Sequence, residues 1–233
     1  MRILASADIH GNHGFYGRLL EIAERHDAQA IVLAGDLLGY PAGFDRAEEA
    51  QRADAVDIVG LLEGSARPIF YVMGNDDLTE LEATRGQVQS LHMRRFDLGE
   101  YNFVGYQYSL PFMGGIFEKP EASIGGDLAN LKDIVDERTI LITHSPAQGL
   151  LDTTMLGTHA GSSSILEFVD RFNLWAHIHG HIHSCFGREG RHFNVAAIPA
   201  ERAMLIDVDR MTHQVVSLTG SSEHNINRGG GRG

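Results

Sequence analysis

The sequence predicts an α/β fold in which a layer of parallel strands is joined to a second sheet. Three observations carry that expectation. Apolar runs at residues 3–7, 30–34 and 68–73 alternate with stretches of helical spacing, the strand–helix–strand pattern of parallel sheets. Residues 93–110 instead carry Phe96, Leu98, Tyr101, Phe103, Val104, Tyr106 and Tyr108 around a turn at Gly99, as antiparallel strands do. Finally, five apolar runs end in side chains that bind metals: Asp8 and His10, Asp36, Asn75, His144, and His181 with His183.

Taken in order, the first run ends at Asp8-Ile9-His10-Gly11-Asn12, and Phe15, Leu19, Ile22 and Ala23 then mark one helical face. The second run ends at Gly35-Asp36. Residues 41–45 read as a loop, and residues 47–62 as an amphipathic helix stopped near Gly64. The third run ends at Gly74-Asn75-Asp76-Asp77. Residues 111–126 hold Pro111, Gly114, Gly115, Pro120, Gly125 and Gly126, and predict an exposed loop near a substrate opening. Asp127 is expected to cap a helix that buries Leu128, Leu131, Ile134 and Val135. The fourth run, residues 139–143, ends at His144-Ser145-Pro146. Residues 150–163 form a loop with Asp152 and His159, and Ser164-Ile165-Leu166-Glu167 predicts a capping box opening a helix through Phe172.

The densest stretch is His177-Ile178-His179-Gly180-His181-Ile182-His183. In extended backbone, residues two apart share a face, so His181 and His183 can aim at one point if Gly180 lets the chain turn. His179 reads as a buried supporting residue, and His26, His92, His192, His213 and His224 as surface residues. Residues 191–197, 203–207 and 214–218 predict further strands, the last two a hairpin. The expected organisation is one domain over residues 1–220 with a flexible polar tail at 221–233.

Composition narrows the function. The formal net charge of −12 disfavours nucleic acid as a partner. A small phosphorylated substrate remains compatible, because bound metals reverse the local sign. No run of about 18 apolar residues appears, so no membrane span is expected. The first residues turn acidic too soon for a signal peptide, and Cys185 is the only cysteine, so a cytoplasmic location is expected. The oligomeric state stays open, a homodimer included.

Two aspartates, an asparagine and four histidines at strand ends suit divalent transition metals, Mn first, with Fe, Zn, Co and Ni also compatible. They are more ligands than one catalytic ion uses, so two ions are expected. In their order and spacing, Asp8-x-His10, Gly35-Asp36, Gly74-Asn75, His144 and Gly180-His181-x-His183 resemble the calcineurin-like metallophosphoesterases. Residues 144–183 are similar to the small bacterial branch related to cyclic-nucleotide phosphodiesterases. The resemblance implies a four-layer αββα sandwich of two mixed sheets flanked by helices. It implies that Asp8, His10, Asp36 and His183 hold one ion, and that Asp36, Asn75, His144 and His181 hold the other. By the same resemblance, Asp36 would bridge them together with a hydroxide that attacks phosphorus. It also implies catalytic roles for Asp36, Asn75, His144 and the residue after Asn75.

That last residue is a departure. The family commonly has histidine there, as proton donor to the leaving group; this chain has Asp76. A carboxyl group needs a raised pKa for that task, with His13 and His159 as other candidate acids. Asn12 and His159 are candidate substrate contacts, with Asn75. The expectation is a metal-dependent phosphodiesterase favouring good leaving groups. A phosphomonoesterase or nucleotide pyrophosphatase would use the same site. A non-catalytic scaffold would predict eroded ligands, and none is missing.

Overall fold

A computed structural model describes residues 1–39, 46–83 and 86–219. The loop expected at 41–45 and the tail at 221–233 lie outside the described residues. The first sheet runs in the order β12 (Thr212–Ser217), β11 (Arg202–Asp207), β1 (Arg2–Ser6), β2 (Ala30–Ala34), β3 (Ile69–Val72), β4 (Val88–Ser90). The second runs β5 (Arg95–Leu98), β6 (Tyr101–Tyr106), β7 (Thr139–Thr143), β8 (Ala176–His179), β10 (His192–Asn194), β9 (Gly187–Glu189). Four helices, α1 (His13–Arg25), α2 (Ala47–Leu62), α3 (Glu121–Ala129) and α4 (Ser163–Arg171), cover the outer faces.

The four layers follow from the two-residue period of a strand. On β1, Ile3 and Ala5 enter the layer between the sheets, while Leu4 faces the helices. On β2, Ala30, Val32 and Ala34 point inward to the second sheet, and Ile31 and Leu33 outward to α1 and α2. β7 repeats this from the other side: Ile140 and Ile142 face the first sheet, and Leu141 packs under α3 and α4. Both faces of these strands are buried, which is why each reads as an unbroken apolar run. Fully burying each large aliphatic side chain contributes about 1.5–3 kcal/mol. α1 is started by Asn12, whose Oδ1 accepts from the Phe15 N–H at 3.0 Å.

The strands that carry the ligand-type residues are parallel within each sheet. Ser6 lies opposite Leu33, Ala34 opposite Val72, and Ile142 opposite Ile178. The ends of β1, β2, β3, β7 and β8 therefore share one edge of the sandwich, three from one sheet and two from the other.

Several local expectations are corrected. The middle strands do form an antiparallel pair, β5 with β6, but β6 then runs parallel to β7. The helix expected to begin at Asp127 begins at Glu121, after Pro120. Proline sets the entry, and Gly125 lies where a Cβ would stand 3.0 Å from Ser164 Oγ on α4. The Asp127 carboxylate accepts instead from Lys119 Nζ and Tyr106 O–H. The capping box at Ser164 is not formed. Ser162 is the cap, its Oγ accepting from the Ile165 N–H, while Glu121 takes the N–H groups of Ser163 and Ser164. His192 is buried rather than superficial, and His92 is half-buried against Tyr106 and Tyr108. His224 lies outside the described residues. No described helix is long and apolar enough to cross a membrane.

Candidate metal centre

The shared edge gathers Asp8, His10, Asp36, Asn75, His144, His181 and His183. The ligand atoms of Asp8, His10 and His183 lie within 4.8 Å of one another, as do those of Asp8, Asp36 and His144. Asp8 and His144 are fully buried, Asp36 and Asn75 nearly so. Asn75 and His181 are tied to the two groups through neighbours: Asn75 Oδ1 is 3.0 Å from His144 Nε2, and the His181 ring centroid is 5.0 Å from that of His144.

The backbone is bent to make this convergence. Asp8, His10, Asp36 and His181 all have left-handed φ, at 56°, 47°, 52° and 71°. Such positions cost of order 1–3 kcal/mol each for a residue with a side chain. A ladder of backbone bonds between the two turns holds them: Asp8 N–H to Gly35 O, Ile9 N–H and His10 N–H to Asp36 O, and Gly11 N–H to Leu37 O, all 2.9–3.0 Å. Two glycines let the turns touch. A Cβ at Gly74 would stand 2.2 Å from Asp36 Oδ1, and one at Gly180 would stand 2.5 Å from Asp8 Oδ2. The expectation that His181 and His183 share an extended face is corrected here. β8 ends at His179, His181 is left-handed, and His183 opens a short 3-10 turn. The His181 N–H donates to both oxygens of Asp8, at 3.2 and 3.1 Å, so the chain wraps that carboxylate.

The donor set fits cations. His144 Nδ1 lies 2.8 Å from the Ala34 carbonyl, which can only accept, so Nδ1 carries a proton and Nε2 is the free ligand atom. That Nε2 faces two oxygens, Asp36 Oδ2 at 3.2 Å and Asn75 Oδ1 at 3.0 Å. A lone pair aimed at two oxygens needs a cation among them, either a proton or a metal. The protonation behaviour reflects this. Burial opposes charge on His144, yet Asp36 lifts the ring to about 10. Burial also opposes charge on Asp36, yet His144 holds it well below the usual carboxylate range. A divalent ion bound there would compete for the same lone pairs and displace the proton. Burial, then His144, push His181 down to about 4, so its ring is neutral at pH 7. His183 is raised through its hydrogen bond to Asp8, 3.1 Å from Nε2 to Oδ1.

Asp76 lies beside this group. Its N–H donates to Asp36 Oδ1 at 2.9 Å, and its own Oδ1 accepts from Asn75 Nδ2 at 2.8 Å. Burial and then the Asp36 charge push its carboxyl upward. Asn12 is committed inside the protein: besides capping α1, its Nδ2 donates to Glu201 Oε1 at 3.0 Å. His159 is exposed at the ring, with Nδ1–H donating to the buried Asp152 at 2.6 Å. Its loop reaches the metal edge, since Thr153 pairs with His159 and the Thr153 carbonyl accepts from Cys185 Sγ two residues beyond His183. His13 is half-exposed and bonded to Asp54. The loop of residues 111–120 borders the site through Phe112, whose ring centroid is 6.3 Å from that of His181.

Sequence reasoning assigned no role to three supporting residues. Asp77 accepts from the N–H groups of Leu37, Leu38 and Gly74, tying the turn after β2 to the turn after β3. Gln51 on α2 donates to the Asp76 carbonyl and accepts from the Leu78 N–H. Asn194 on β10 donates to the Ile182 carbonyl at 2.9 Å, between His181 and His183. Asp77 stood in view beside Asn75; the other two come from distant segments and left no local signal.

Comparison with known proteins agrees with this geometry. A family model described as calcineurin-like phosphoesterase matches residues 1–185. Comparison with curated proteins gave no match. One solved structure superposes with a TM-score of 0.76 at 15% identity, covering 94% of this chain and 99% of its own. The protein TT1561 of Thermus thermophilus does so at 0.70 and 16%, covering 93% and 98%. A dimetal phosphatase from Danio rerio does so at 0.58 and 13%, covering 94% and 99%. At these identities the likeness is one of fold.

Proposed function

The chain belongs to the calcineurin-like phosphoesterase family, and from that premise we propose that it is a dinuclear-metal phosphodiesterase acting on a small phosphate ester. The observation that carries this reading is His144, proton-fixed at Nδ1 by Ala34 and aimed through Nε2 at Asp36 and Asn75. Asp8, His10, Asp36 and His183 would hold one ion, and Asp36, Asn75, His144 and His181 the other. Manganese is the favoured ion, with Fe, Zn, Co and Ni also suited to these oxygen and nitrogen donors. Bound there, two divalent ions supply an acidified water and neutralise charge on the phosphoryl oxygens.

The protein's own groups do the remaining work. Asp36 spans both halves of the site. Asn75 offers an oxygen without adding negative charge, while its Nδ2 orients Asp76. Asp152 fixes the His159 tautomer, leaving Nε2 free for a substrate oxygen or for proton transfer. Asn12, two residues after His10 and adjacent to His13, is a second candidate contact, available to substrate once released by Glu201. A reducing, cytoplasmic setting suits the single Cys185.

The test is hydrolysis of bis-p-nitrophenyl phosphate and p-nitrophenyl phosphate by chelated protein, with and without Mn²⁺, alongside Asp36→Asn. The expected outcome is Mn²⁺-dependent activity, faster on the diester, and lower by at least about a hundredfold in Asp36→Asn. Faster monoester turnover would replace the diesterase by a phosphomonoesterase. Two bound ions with no hydrolysis of either ester would count against the general diesterase reading.

A further inference from the structure

We propose that Asp76 is an additional protein ligand for the ion held at His10 and Asp36. The inference rests on the dinuclear reading above and assigns this chain a ligand that the family pattern lacks. Its carboxylate oxygen lies within 4.8 Å of ligand atoms of both His10 and Asp36, a third such group besides the two already described.

The carboxylate is held in place rather than free to swing. The Asp76 N–H is bonded to Asp36, the Asp76 carbonyl accepts from Gln51, and the next residue, Asp77, is locked to Gly74, Leu37 and Leu38. Asn75 Nδ2 occupies Oδ1, which leaves Oδ2 for a cation. A side chain so positioned loses little freedom on binding, the condition for a useful ligand.

Charge points the same way. The buried Asp8 and Asp36 and the half-buried Asp76 bring three carboxylates to one edge among histidines. Like charges at this separation are costly unless a cation lies among them. Histidine at this position, as the family commonly has, brings no negative charge; aspartate completes an oxygen-rich set that hard divalent ions favour. The chemical consequence is definite. A metal-bound carboxylate is ionised, so Asp76 would donate an oxygen lone pair to the ion and could not protonate a leaving group. Another group, such as His159 in the grip of Asp152, must do so, or the leaving group must depart unprotonated.

The experiment is calorimetric titration of the chelated full chain with Mn²⁺, comparing wild type, Asp76→Ala, Asp76→Asn and Asp76→Glu, with the visible spectrum of the Co²⁺-loaded forms as a second readout. Asp76→Ala is expected to weaken one of two binding events by at least about tenfold and to leave the other within about twofold. Asp76→Glu is expected to regain part of that affinity, and the Co²⁺ bands are expected to shift in Asp76→Ala. The near-isosteric Asp76→Asn should move in the same direction by less, which keeps the test open if the alanine chain fails to fold. Unchanged Mn²⁺ affinities and an unchanged Co²⁺ spectrum in a wild type that binds two ions would overturn the inference alone. A wild type that binds no Mn²⁺ would overturn the dinuclear reading with it.

Discussion

Two groups of histidines, drawn largely from the same seven-residue stretch, have opposite surroundings. His181 and His183 lie past the end of β8 against Asp8, Asp36 and His144. His177 and His179 lie on β8 and are fully buried, with His192 from β10 beside them. His177 and His192 form a neutral network whose protons can be traced, while His179 Nδ1–H donates to the Gly180 carbonyl at 3.2 Å. The Thr143 hydroxyl donates to the Ser145 carbonyl, so its oxygen accepts from His177 Nε2–H. His177 Nδ1 is then an acceptor, and His192 Nδ1–H donates to it across 3.1 Å. Burial pushes His177 well down, His179 to about 3 and His192 to about 4. The two groups differ not in the imidazole but in the site carboxylates: Asp8 and Asp36 act on His181 and His183 and on none of the inner three.

The widest separation between the groups should appear in paired deletions. His183→Ala removes a side chain that is 39% exposed, so activity and one bound ion should be lost by at least about a hundredfold while metal-free stability changes little. His177→Ala should do the reverse. It leaves a cavity and strips His192 Nδ1–H of its acceptor, costing about 2–4 kcal/mol in urea unfolding, with two ions still bound to the folded protein. Loss of metal in His177→Ala at full stability would erase the distinction.

A smaller effect is expected from pH. His192 has a folded pKa near 4 and an unfolded value near 6.5, so between those limits the unfolded chain binds the extra proton. Stability from this group is fully present above about 6.5 and is lost as pH falls toward 4, at up to about 1.4 kcal/mol per pH unit. Urea unfolding of chelated His192→Gln should show a shallower slope in that window. Smallest, Ser162→Ala should cost about 1 kcal/mol by removing the cap of α4, with activity on the chromogenic ester retained.

The parts of this molecule that were legible are those where local pattern and burial coincide. The runs ending at Asp8, Asp36, Asn75 and His144 are buried on both faces, and their apolar continuity marks them as central strands. α2 matches the stretch its composition suggested. The inner histidines were less legible, because His192 takes its place by pairing with His177 across 15 residues. The start of α4 misled because its donors are satisfied by Glu121, on another helix. The left-handed bends at Asp8, His10, Asp36 and His181 were also not legible: aspartate and histidine tolerate that region better than most residues, but tertiary hydrogen bonds decide where it is adopted. Asp76 was visible as a departure, but its neighbours His10 and Asp36 come from other strand ends.

The most direct test of the central claim is an anomalous difference map at the manganese edge from crystals grown with Mn²⁺. The account predicts two peaks at the shared strand edge, with Asp36 between them and His181 and His183 on different ions. A peak among His177, His179 and His192, or no peak at Asp36, would contradict it.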